Sequence, residues 1–109
     1  MNRKTALALF ETLSSGLRLD IYRLLMRTGP QGLVAGEIAS LLEMPPSNAS
    51  FHLKAMTQSG LLLVTQEGRF QRYRANMEIM QALVNFLTEE CCSGQPGRCT
   101  PLAVPKAVP

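Results

Sequence analysis

The sequence predicts a mainly α-helical fold that carries one β-hairpin, in the order helix, helix, helix, helix, hairpin, helix. Three observations lead there. Apolar residues recur at helical spacing through most of the 109 residues. The period changes to alternation only after Gly60. Gly29-Pro30, Pro45-Pro46 and Glu67-Gly68 punctuate the segments where turns are needed.

The first helix is expected from about Lys4 to Leu13, with Ala6, Leu9, Phe10 and Leu13 on one buried face. Ser14 or Ser15 can cap the second, "GLRLDIYRLLMRTG", in which Leu17, Ile21, Leu24 and Leu25 form the apolar stripe. After a short extended piece at Leu33 and Val34, a third helix points Ile38, Leu41 and Leu42 inward. Pro45-Pro46 blocks its continuation, because proline has no backbone N–H to donate. Ser47 and Asn48 then start "SNASFHLKAMTQSG", which closes at Gly60. "LLLVTQ" and "RFQRYRA" form the hairpin, with Tyr73 and Ala75 on one face and Arg72 and Arg74 on the other. The last helix, "MEIMQALVNFLTEECC", aligns Met80, Leu83, Val84 and Leu87, and Cys91 continues that stripe. Beyond it "SGQPGRCTPLAVPKAVP" is rich in glycine and proline and has no period. The expected organisation is one domain over 1–92 and a flexible tail over 93–109 that carries Cys99.

Hydrophobic residues make up 46% of the chain, enough for a core, and no apolar run approaches the roughly 18 residues that span a bilayer. The start superficially resembles a signal peptide, but Glu11, Arg18 and Asp20 interrupt it and its apolar residues keep helical spacing. A soluble, cytoplasmic protein without membrane contact is the expectation. All three cysteines, Cys91, Cys92 and Cys99, fall within nine positions, and a reducing compartment would keep them as thiols. The net charge is +3, with eight arginines against three lysines, a balance that permits nucleic-acid binding.

The third and fourth helices, separated by a tight break, have the form of a helix-turn-helix, whose second helix enters the major groove of DNA. There Leu53 and Met56 can face the core while Ser47, Asn48, Ser50, His52, Lys54 and Gln58 present polar groups to base edges and phosphates. Arg69, Arg72 and Arg74 on the hairpin could reach backbone phosphate or the adjacent minor groove. Solvation alone would also explain a polar helix face; its combination with an arginine-bearing hairpin favours DNA. His52 is the only histidine and has no cysteine nearby in sequence, so it reads as a DNA contact or a packing residue. No set of nucleophile, base and orienting group emerges, and the chain is not expected to be an enzyme.

"LRLDIYRLL", "GEIASLLEMPPSNASFHLKAMTQSGLLL" and "EGRFQRYRAN" resemble the winged helix-turn-helix core of the ArsR/SmtB family of metalloregulatory repressors, over roughly 10–87. The resemblance implies a winged helix-turn-helix fold (α-α-α-α-β-β-α) and a homodimer formed through the first and last helices. It further implies repression at operator double-stranded DNA and release when a metal or metalloid binds. The family's arsenic site before the recognition helix is absent here, since "GLVAGEIA" has no thiol. The zinc site of the last helix is absent too, since "MEIMQALVNFLTEE" has no histidine. "ECCSG" is similar to a variant that binds trivalent arsenicals through cysteines near the end of the last helix. Cys91 and Cys92 match its vicinal pair, and Cys99 supplies a third thiolate.

Three sulfurs suit As(III) or Sb(III), which take three thiolates in a pyramid and keep a lone pair. Zinc usually wants four ligands. The inducer is therefore expected to be As(III) or Sb(III), with no cofactor required for folding. Glu89 or Glu90 could add an oxygen, and soft divalent ions such as cadmium or lead remain an alternative. So do a thiol redox switch, a constitutive DNA-binding or interaction module, and Cys91 as a small buried hydrophobe.

Overall fold

The computed structural model describes residues 1–94. Its elements are α1 (Arg3–Leu13), α2 (Gly16–Thr28), β1 (Leu33–Val34), α3 (Ala35–Leu41), α4 (Pro46–Gln58), β2 (Leu62–Glu67), β3 (Phe70–Ala75) and α5 (Met77–Thr88), followed by a single turn over Cys91–Gly94. The expected order of helices and hairpin is present, with one addition. The extended piece at Leu33–Val34 pairs with β3 and makes the wing a three-stranded antiparallel sheet in the order β1-β3-β2.

Capping by short polar side chains starts three of the helices. Asn2 accepts a hydrogen bond from the Thr5 N–H at 2.8 Å, Ser15 from Arg18 N–H at 3.4 Å, and Asn76 from Ile79 N–H at 3.3 Å. The break between α3 and α4 falls earlier than the prolines suggest. α3 ends at Leu41, and Glu43 adopts a left-handed φ of 51° while Met44 N–H reaches back to the Ala39 carbonyl at 3.0 Å. Pro45-Pro46 therefore opens α4 rather than closing α3: Pro46 stands in its first turn, where the missing N–H has no helical partner to lose.

The core lies where α2, α3 and α4 meet the sheet. Leu9, Ile21, Leu25, Ile38, Leu53, Met56, Leu61 and Leu62 are the largest side chains almost wholly withdrawn from solvent. Gly32 fixes β1 on the sheet. It is buried with a φ of +62°, and a Cβ there would overlap the Tyr73 carbonyl oxygen and stand 2.7 Å from the Arg74 Cγ. Asn76 ties the start of α5 to the same corner, its amide N–H bonding the Leu61 carbonyl and its side chain the Gly60 carbonyl, both at 2.9 Å.

Several residues expected inside lie outside. Phe10 on α1, Leu17 on α2, Leu41 on α3, and Val84 and Leu87 on α5 are all exposed. Their spacing is helical, as read from the sequence, but nothing among the described residues covers them. No helix of the described residues is long and apolar enough to cross a membrane.

Candidate nucleic-acid interface

α4 buries Ala49, Leu53 and Met56 on one side, a spacing of four and then three that leaves the opposite side in solvent. By the 100° step per residue, Ser47, Phe51, Lys54 and Gln58 share that outward side, and all are exposed. Asn48 and Ser50 are exposed on its flanks. Between α4 and the wing runs an open groove of about 400 Å³ lined by Ser50, Lys54, Thr57 and Gln58 from the helix and by Val64, Gln71 and Tyr73 from the sheet. The Tyr73 hydroxyl donates to the Gln71 Oε1 at 2.9 Å, which holds that amide at the groove wall. Burial pushes the Tyr73 phenol up from its usual range, so it remains a donor through neutral pH.

His52 faces sideways, half-buried, against α2. Its Nδ1 accepts a hydrogen bond from the Arg18 Nε at 3.1 Å, an arrangement that places the ring proton on Nε2. Its ring meets Phe51 edge to face, with centroids 5.5 Å apart, and the Arg18 guanidinium lies 6.0 Å from the Phe51 ring centre. His52 thus joins two helices as well as bordering the exposed face.

The three hairpin arginines separate. Arg69 sits at the wing tip, its guanidinium 5.6 Å from the Phe70 ring centre. Arg72 donates its Nε to both Glu67 carboxylate oxygens at 3.0 Å and its Nη1 to the Gln31 and Gly32 carbonyls at 3.2 and 3.4 Å. That guanidinium clamps the β1 turn to the wing. Arg74 lines a different cavity of about 460 Å³, on the far face of the sheet, with Met26, Pro30, Asn76 and Glu78. Among the predicted positions, Ser47, Asn48, Ser50, Lys54 and Gln58 are exposed on α4 and Arg69 is exposed at the wing tip, whereas Arg72 and Arg74 lie with the supporting loop.

A family model described as a helix-turn-helix domain matches residues 13–65, which contain α2, α3 and α4. No curated protein matches the chain in sequence. Solved structures do. An ArsR-like transcriptional regulator from Rhodococcus sp. RHA1 is 26% identical, with 77% of this chain and 76% of that chain covered and a TM-score of 0.68. HlyU from Vibrio cholerae is also 26% identical, over 84% of this chain and 99% of its own, with a TM-score of 0.65. A homodimeric winged helix-turn-helix DNA-binding domain from Mycobacterium bovis, described as a possible ArsR-family transcriptional regulator, is 26% identical over 84% and 85%, with a TM-score of 0.64. By domain and fold, this chain is similar to ArsR-like transcriptional regulators.

In this chain the cysteines do not continue the last helix. α5 ends at Thr88, Glu89 is extended, and Glu90, Cys92 and Ser93 all have φ between 52° and 59°. Cys91 and Cys92 therefore stand on a separate left-handed turn, exposed, with their sulfurs 3.8 Å apart. Cys99 lies outside the described residues. Among the described residues no group of three His, Cys, Asp or Glu side chains is placed to hold a metal ion. Sequence reasoning missed Arg18, Phe51 and Gln71. Arg18 is 34 residues from His52 and off the apolar stripe of α2, so no local pattern marks the pair.

Proposed function

We propose that the protein is a homodimeric transcriptional repressor that reads operator DNA with α4 and the wing tip and is released by As(III) or Sb(III) held on Cys91, Cys92 and Cys99. The observation that carries the reading is the outward face of α4. It is a 13-residue helix whose polar, exposed side stands clear of the core, and the major groove admits one such helix. Ser47, Asn48, Ser50, Lys54 and Gln58 offer donors and acceptors to base edges and phosphates, and Arg69 extends the basic contact to the backbone beside them. The exposed apolar residues of α1 (Leu7, Phe10) and α5 (Val84, Leu87) support a homodimer through these helices, and the similar Mycobacterium bovis domain is homodimeric.

The vicinal sulfurs suit a thiophilic ion, since 3.8 Å is close enough for both to bind one centre. A trivalent metalloid, when bound, supplies a covalent tie between thiolates. The chain's own part is the link: Glu89 and Glu90 are the two residues between the end of α5 and the thiol pair. Drawing the thiolates together pulls on the end of α5, and through the dimer face alters the spacing of the two α4 helices. Operator affinity then falls by the coupling free energy, about 1–3 kcal/mol in allosteric systems.

Fluorescence anisotropy on an operator fragment under strong reductant tests this. Arsenite or antimonite should release the parent protein, and Cys91→Ser and Cys92→Ser should abolish release without weakening DNA binding. A triple cysteine variant that dissociates like the parent removes the sensor assignment. Release by peroxide alone, reversed by reductant, assigns the same sulfur pair to redox sensing instead.

A further inference from the structure

We propose that Phe51 is a base-reading side chain, whose ring packs against the 5-methyl group of a thymine in the major groove, and that Arg18 is the positioning residue that holds the ring for it. The inference rests on the DNA-binding reading of α4 and adds to it a base preference.

Phe51 is the most exposed large apolar side chain among the described residues, at 67%. It lies in the middle of the outward side of α4, opposite Leu53, between Ser47, Lys54 and Gln58. Exposing a phenyl ring to water is unfavourable, and here the polar residues around it rule out a broad apolar patch. The ring is also held. The Arg18 guanidinium lies against it at 6.0 Å, and the same guanidinium is oriented by its Nε–H bond to the His52 Nδ1, while the His52 ring braces it edge to face. Ordering the ring in advance lowers the entropy lost on binding.

The neighbours select the partner. Lys54 and Arg18 give this spot positive charge, and the flanking serine and glutamine offer hydrogen bonds, a set complementary to a polyanion with polar edges. In the major groove the apolar feature of those edges is the thymine methyl, which a phenyl ring contacts well. Protein partners of the apolar kind have Leu7, Phe10, Val84 and Leu87 on other helices to engage.

The test begins by selecting binding sites from random duplex DNA with the full chain. Each thymine of the enriched half-site is then replaced in turn by deoxyuridine, which deletes only the methyl group. At one position per half-site the parent should weaken about fourfold, the worth of one buried methyl. Phe51→Ala should bind thymine and deoxyuridine equally there, with its circular dichroism spectrum unchanged. Arg18→Ala should reduce the methyl effect at the same position while Arg18→Lys restores part of it. A Phe51→Ala protein that discriminates as the parent does, or a parent blind to every methyl, overturns the proposal. Failure to enrich any sequence, with no duplex bound, instead overturns the DNA-binding reading beneath it.

Discussion

α4 and α5 are nearly equal in length, 13 and 12 residues, yet they place their apolar residues in opposite ways. α4 is the more polar in sequence and buries Ala49, Leu53 and Met56 completely. α5 carries Met77, Ile79, Met80, Leu83, Val84, Phe86 and Leu87, and only Leu83 is buried. A helix whose polar side faces outward needs nothing more from its own chain. One whose apolar side faces outward is unfinished as a monomer. On the proposed function, the difference separates a helix that reads DNA from one that pairs with a second copy.

The largest effect should come from emptying the inner side of α4. Leu53→Ala should cost about 2–5 kcal/mol in urea unfolding, whereas Leu87→Ala should change the monomer by less than about 0.5 kcal/mol. Equal losses would erase the distinction. Next, Gly32→Ala should destabilise by about 1–3 kcal/mol, because the left-handed backbone and the Tyr73 carbonyl both resist a Cβ. This locates stability in the wing base rather than in α5. Val84→Glu with Leu87→Glu should leave the melting of an isolated protomer almost unchanged but convert dimer to monomer in sedimentation at micromolar concentration. Lys54→Ala and Arg69→Ala should each reduce the slope of log affinity against log salt by about 1, whereas Arg72→Ala should act mainly on stability. The smallest change should be Tyr22→Phe. The Tyr22 hydroxyl is buried without a hydrogen-bond partner among the described residues, so removing it should leave stability unchanged or raise it by about 1 kcal/mol.

The elements were legible because their signals are local. Ser15 before α2, the glycine at the wing turn and the Leu53–Met56 spacing all act within a few residues of where they stand. Three features were not. Leu33–Val34 was readable as extended, but its pairing with β3 was not, because that contact is with residues about 40 positions away. The apolar periodicity of α1 and α5 states that Phe10 and Leu87 want cover, but not whether the cover belongs to the same chain. The cysteines looked like an extension of α5 because an i+4 spacing from Leu87 persists in sequence after the backbone has left the helix at Glu89. The polar face of α4 was readable residue by residue, but the sorting of Arg69 from Arg72 and Arg74 depends on which side of a pleat each occupies and on what loop lies there.

Gly32 has a consequence for heredity. Every missense change at a glycine codon adds a side chain, and here any side chain must displace the Tyr73 carbonyl or push β1 off the sheet. In a saturation mutagenesis library this single position should be depleted of nearly all substitutions, while the exposed neighbours Pro30 and Gln31 accept many. A narrow trough of intolerance at that point would record, in growth counts alone, that the third strand is part of the working protein.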